Sequence, residues 1–217
     1  MDNIRQWILE RKIIYFILAL IYDGKIYEAL EIIDENKLLE HMSGYIDNKF
    51  ISDGSREVFK EIEKNKNNET YIELILKEYQ RLFVGPDRIC APLWKSVYGK
   101  KDKLLFGEVE LEVRRFYNSF NLDVKDNEPA DYLPRELYFM SHLCDKYTED
   151  YTENINTEKL MKQHEFLRMH ILSWISPWAE DVKQNSEMKF WSGFSQIIEG
   201  WLQNDFNEIE SILLKCK

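Results

Sequence analysis

Turn-forming residues are scarce in this chain, and that scarcity narrows the fold more than any other feature. Eight glycines and five prolines serve 217 positions, roughly half the usual combined share of about 12%. A sandwich or barrel needs a turn about every ten residues. The apolar residues instead recur at three- and four-residue intervals, the period of a helix with one buried face. The expected fold is therefore all-α, about nine helices in a single globular domain over residues 1–217.

Helical spacing predicts the first helix over residues 2–22, stopped by Asp23-Gly24. Ile26, Ala29, Leu30 and Ile33 carry a second helix to about Leu39, with Gly44 as a stop. Asp53-Gly54-Ser55 reads as the start of a third. A fourth covers about Glu69 to Phe83 and ends at Gly85-Pro86, because proline cannot continue the hydrogen-bond ladder. Residues 84–103 lack steady periodicity, and an irregular stretch of that length in a helical chain is often functional. Residues 104–120 show strand-like alternation at Val109, Leu111 and Val113, but Phe106, Val109, Val113, Phe116, Tyr117 and Phe120 favour a helix over the longer window. Residues 121–131 read as a polar hinge. Helices then follow from Leu133 to about Tyr147, with Pro134 tolerated in the first turn, and from a cap at Asn156 or Thr157 to about Trp174. Pro177 restarts the chain. One helix carries Phe190, Phe194, Ile197, Ile198 and Trp201, and a short last one runs from Asp205 to Cys216.

The charge balance, 29 basic against 39 acidic residues, gives a net charge of −10. A phosphate backbone is repelled by that field, so nucleic acid is not an expected partner. The three cysteines, Cys90, Cys144 and Cys216, are widely spaced and odd in number, which matches neither a zinc ribbon nor a disulfide framework and fits a reducing compartment. Arg11-Lys12 ahead of the apolar run Ile13–Tyr22 imitates a signal peptide, but the run is too short to span a bilayer and no small-residue cleavage site follows. A buried first helix in a soluble, cytoplasmic protein is the expectation.

No phosphate-binding loop and no HExxH motif is present. His164 and His170 fall on different helix faces, and His170 among Phe166, Leu167, Ile171 and Trp174 reads as a core histidine. Glu108, Glu110 and Glu112 read as a solvated face. Glu128, Asp131 and Glu136 cluster at a helix start, where negative charge is favourable and Asp131 can cap a free N–H. Cys90 beside Arg88 has no neighbouring histidine to activate it.

Several short pieces then occur in order: Glu78-Tyr79-Gln80-Arg81-Leu82-Phe83-Val84-Gly85-Pro86, Ala91-Pro92-Leu93-Trp94-Lys95-Ser96-Val97-Tyr98, Leu105-Phe106-Gly107, Glu128-Pro129-Ala130-Asp131-Tyr132-Leu133 and Glu136-Leu137. Gln163, Phe166, Leu167, His170, Trp174 and Pro177 extend the set. Over residues 75–178 the chain resembles the TorD/DmsD/NarJ family of molybdoenzyme-assembly chaperones. The resemblance implies an all-helical fold without turnover of its own. It implies binding of an apo molybdoenzyme catalytic subunit, often through a twin-arginine signal peptide, before cofactor insertion and export. Molybdopterin would belong to the client, and no cofactor is expected on this chain. Where the family carries an Asp-His pair after Glu-Pro, this chain has Asp131-Tyr132, which keeps a hydroxyl but loses a group that titrates near neutral pH.

A twin-arginine peptide presents two guanidinium groups and then an apolar stretch, so its receptor needs carboxylates and an apolar groove. The expected peptide-binding residues are Glu128, Pro129, Asp131, Tyr132 and Glu136 at the acidic end, and Tyr79, Leu82, Phe83, Pro92, Trp94 and Tyr98 in the groove. Leu82 and Phe83 are expected to be mostly core, with Trp94 and Tyr98 nearer the surface. A monomer or a domain-swapped dimer is expected, without stable insertion in a membrane. Two other readings of the residues stay open at this point: a nucleotide hydrolase using the 128–136 carboxylates, and a helical subunit held permanently in an oxidoreductase complex.

Overall fold

The computed structural model describes residues 2–86, 88–99, 107–122, 124–125, 127–149 and 156–216. Within them the chain is helical: α1 Asp2–Tyr22, α2 Ile26–Glu35, α3 Leu38–Met42, α4 Lys49–Asn65, α5 Tyr71–Tyr79, α6 Lys95–Tyr98, α7 Glu108–Asn118, α8 Leu133–Glu149, α9 Thr157–Phe166, α10 Ile175–Asn185 and α11 Lys189–Lys215. A π-helical turn follows α5 at Gln80–Val84 and another follows α9 at Leu167–Ile171. The all-α expectation holds, and among the described residues the only β pairing is an isolated bridge between Trp94 and Tyr132.

The helices form two compact units. One contains Met1–Tyr22, Trp94–Trp174 and Asp205–Lys217; the other contains Asp23–Leu93 and Ile175–Asn204. The 121–131 segment, read as a hinge, lies inside the first unit. There Arg114 donates to the carbonyls of Val124 at 2.5 Å and Glu128 at 3.0 Å, and Val124 is buried.

In the first unit α1 packs along α8. Ile14, Tyr15, Ile17, Leu18 and the whole run Ala19–Tyr22 are buried, as a helix that is apolar nearly all round must be. Arg11 is also fully buried. Its Nε and Nη2 donate to Asp205 Oδ1 and Oδ2 at 2.5 and 3.0 Å, and Tyr15 Oη donates to Asp205 Oδ2 at 2.6 Å. This pair explains one departure from the sequence reading. Asp205 interrupts the apolar stripe and looks like a helix start, yet it lies within the continuous helix α11 because its charge has a buried partner.

In the second unit α4 begins at Lys49, capped by the Asn48 side chain accepting from Ile51 N. Gly54 is therefore inside the helix, not before it. A Cβ there would stand 2.7 Å from the Gly193 carbonyl oxygen, and one on Gly193 would stand 2.5 Å from Val58 Cγ2. The glycines permit a close α4–α11 crossing, a role that a local reading of Asp-Gly-Ser misses. The predicted second helix is divided by Lys37, whose φ of 47° is left-handed. Asn156 caps α9 as expected, accepting from Lys159 N at 3.0 Å. The expected start of a helix at residue 104 falls outside the described residues, and α8 runs to Glu149, two residues past its expected end at about Tyr147.

Candidate functional site

Two short segments meet in the first unit. Trp94 and Tyr132 pair their backbones in the bridge, and their rings lie 5.7 Å apart. Lys95 N donates to the Asp131 carbonyl at 3.1 Å, and Ser96 N donates to Asp131 Oδ2 at 2.8 Å. Asp131 thus caps α6, a helix distant in sequence, and not the adjacent α8. It is fully buried. Burial pushes its carboxyl pKa up, against the bonds from Ser96.

Glu136 is buried as completely, and among the described residues neither of its oxygens makes a hydrogen bond of ordinary geometry. Burial holds its pKa well above the usual carboxyl value; Asp131 adds to this, while the Lys95 ammonium and the Trp174 indole oppose it. Lys95 itself is nearly buried. Its Nζ donates to the Met169 carbonyl at 3.1 Å and lies 3.2 Å from His170 Nδ1, which makes Nδ1 an acceptor on a neutral ring. Burial, with Lys95 second, brings the His170 pKa down to about 4. The π-helical turn at Leu167–Ile171 sets this geometry, and Phe116 and Phe166 flank the ring at 5.5 and 5.0 Å. His170 is a core residue, as its neighbours predict.

Asp131 and Glu136 therefore do not form an accessible acidic end. Sequence places them at a helix start, normally a solvated position, but α6 and Lys95 cover that start. Glu128 is different: its side chain is 40% exposed and Oε2 accepts from Arg135 Nη2 at 2.5 Å. Arg135 also bonds the Pro129 carbonyl and lies over the Tyr132 ring. Glu128 lines a cavity of about 380 Å³ together with Leu122, Val124, Tyr138, Phe139 and His142. Pro129 and Tyr132 are half-buried, as is Tyr98, which stacks on Trp174 at 5.4 Å.

The remaining expected groove residues fall in the second unit. Tyr79, Leu82 and Phe83 are buried, with Phe83 5.1 Å from the Trp191 ring and 6.3 Å from Trp178. They are aromatic and aliphatic core. Pro92 is half-buried, and the preceding Ala91 N donates to the Leu82 carbonyl at 2.9 Å.

Four polar residues escaped the sequence reading. Glu110, read as part of a solvated face, is 1% exposed and takes Arg114 at 3.0 and 2.7 Å and Ala130 N at 2.9 Å. The four-residue spacing of Glu110 and Arg114 was the available signal. Glu78 and Arg81 stand in the quoted motif with no role attached. Glu78 Oε1 accepts from Glu187 N, Met188 N and Arg81 Nη2 at 2.5, 3.3 and 3.0 Å, so it satisfies free amides just ahead of α11. Its own spacing gives no hint of that distant helix. Lys95 likewise stands in the quoted motif, within the irregular 84–103 stretch, with no role attached.

A family model described as nitrate reductase delta subunit matches residues 48–180. The chaperone protein TorD of Vibrio parahaemolyticus is 28% identical over 140 residues, 64% of this chain and 65% of that protein. The TorD of Shewanella pealeana is 25% identical over 162 residues, 70% of this chain and 68% of that one. A protein of Haemophilus influenzae named "Probable Tat proofreading chaperone DmsD" is 26% identical over 131 residues, 59% and 60% of the two chains. The matches thus span about two thirds or less of these relatives. A solved protein of Archaeoglobus fulgidus, described as a "putative redox enzyme maturation protein", shares the fold, with a TM-score of 0.52 and 17% identity over 88% of this chain and 93% of that one. The three curated relatives are named as chaperones. The chain belongs to the nitrate reductase delta subunit family, which includes the TorD and DmsD chaperones.

Proposed function

We propose that this protein is a system-specific chaperone of the cytoplasm. It binds an apo molybdoenzyme catalytic subunit through the subunit's twin-arginine signal peptide and holds it for cofactor insertion before export. The family match over residues 48–180 carries this reading. Among the described residues no helix is long and apolar enough to cross a membrane, which accords with a role completed before export. The chain carries no cofactor of its own in this reading; molybdopterin enters the client. It works as a monomer or a domain-swapped dimer.

Of the expected contact residues, the accessible ones are Glu128, Pro129, Tyr132, Trp94, Tyr98 and Pro92. The aromatic-walled cavity beside Glu128 suits the apolar stretch of the peptide, and the half-exposed Trp94–Tyr132 pair suits its flank. Asp131 acts from beneath, by holding the 94–98 segment in place.

Affinity capture tests this reading. The tagged chain, expressed in cells blocked in molybdopterin synthesis, should retain one full-length molybdoenzyme catalytic subunit. Replacing the client's two arginines by lysines should lower recovery roughly tenfold, since lysine lacks the guanidinium fork. Trp94→Ala should lower it while leaving the helical content intact. Equal recovery of the arginine and lysine clients contradicts recognition through the signal peptide.

A further inference from the structure

A cavity of about 590 Å³ adjoins the π-helical turn Gln80–Val84 in the second unit. Its lining includes Glu78, Arg81 and Glu187, with Leu74, Pro86 and Met188 as apolar wall. Glu78 is only 6% exposed, yet among the described residues its Oε2 has no hydrogen-bond partner. Polar atoms that deep are nearly always paired, so the carboxylate of Glu78, a residue that lines the cavity, has accepting capacity left over.

Arg81 already supplies half of one. It is 39% exposed, and its Nη2 donates to Glu78 Oε1 at 3.0 Å and to the Asn185 carbonyl at 2.7 Å. Glu187, 80% exposed, stands 3.8 Å from the same nitrogen. Among the described residues Nη1 reaches only the weak acceptor Cys90 Sγ, at 4.0 Å. A guanidinium has five donors in a planar fork, and a carboxylate is best used by two of them in parallel. Here one nitrogen serves one carboxylate oxygen. The protein's own side chain sits in a guanidinium seat and fills it incompletely.

We propose that this seat is an arginine-recognition subsite: a guanidinium of the client's twin-arginine segment takes it in exchange for Arg81, pairing with Glu78 and Glu187. The proposal rests on the client reading above. Exchange, not addition, follows from the charges. Lys77 lines the same cavity, so Lys77 and Arg81 already balance Glu78 and Glu187, and a further cation would be in excess. Arg81 is free to leave because it is a surface side chain held by few bonds. Leu74, 47% exposed, offers apolar surface for the stem of an incoming arginine. Lysine has no fork and gains less from the seat.

The test uses Arg81→Ala, which empties the seat. Thermal unfolding is followed in tens of millimolar guanidinium chloride, far below the molar range that unfolds proteins, with sodium chloride at equal concentration as control. Guanidinium should raise the Tm of Arg81→Ala by a few degrees and leave the parent unchanged. A synthetic twin-arginine peptide should bind Arg81→Ala several-fold more tightly than the parent, with no such gain for its twin-lysine counterpart. Glu187→Gln, an exposed change, should weaken twin-arginine binding in an intact fold. If guanidinium does not stabilise Arg81→Ala and the peptide binds it no better than the parent, the subsite is overturned while the chaperone reading stands. If guanidinium stabilises the variant but no twin-arginine peptide binds either protein, the client assignment falls and the seat remains a guanidinium site.

Discussion

The 128–136 segment of the first unit and the 78–86 segment of the second both carry the family motif, and both bury carboxylates. At 128–136, Asp131 is committed to the Ser96 amide and Glu136 is sealed from solvent. At 78–86, Glu78 satisfies two backbone amides and a guanidinium through one oxygen, leaves the other unpaired among the described residues, and lines a cavity. The first arrangement locks one backbone segment onto another. The second joins a buried charge to a surface arginine that solvent can reach. A motif carboxylate is thus a poor indicator of a docking site by itself. What distinguishes the two is whether a partner for it can enter from outside.

The largest expected effect bears on the locked segment. Arg114→Ala strands the buried Glu110 carboxylate and frees the Val124 and Glu128 carbonyls; breaking such a buried pair costs about 3–5 kcal/mol. Denaturant unfolding should show that loss, and a loss under about 1 kcal/mol would mean that 121–131 is held by other contacts. Next comes Gly193→Ala, whose Cβ would meet Val58 Cγ2. Overpacking of this kind costs about 1–3 kcal/mol, and an unchanged Tm would show that α4 and α11 can move apart freely.

Glu78→Ala removes the acceptor for the Glu187 and Met188 amides and should cost about 1–2 kcal/mol, the range of a lost helix cap. It should also accelerate amide exchange at the start of α11. Unchanged exchange there would deny Glu78 its capping role. The smallest effect is a pH dependence. Burial raises the folded carboxyl pKa of Glu136, so the folded state holds the extra proton. That stabilising contribution is complete below the unfolded pKa and fades as pH rises through the folded value, by at most about 1.4 kcal/mol per pH unit. Glu136→Gln should therefore flatten the decline in stability above the ordinary carboxyl range. Parallel pH curves for variant and parent would place Glu136 in a polar environment.

The sequence revealed the helical class, the long first helix, the stop at Gly85-Pro86 and the Asn156 cap, because each depends on local periodicity or on one backbone preference. It also revealed that Leu82 and Phe83 are core. What it concealed depends on partners distant in the chain. Asp205 looks like a boundary until Arg11 and Tyr15 are brought to it. Gly54 looks like a start until Gly193 crosses it. Asp131 looks solvated until α6 lies over it, and the roles of Glu78 and Arg81 need Asn185 and Glu187, about a hundred residues on. The two π-helical turns leave no periodic signature of their own, yet each positions a residue of interest, Arg81 in one and His170 in the other.

Recognition of a client's paired arginines is central to the proposed function. Isothermal titration of twin-arginine signal peptides from the molybdoenzymes of the same genome, each beside its twin-lysine counterpart, measures this directly. The prediction is saturable binding to one arginine peptide that weakens by roughly tenfold or more with lysine. Equal affinity for the two forms, or no binding by any peptide, would contradict it.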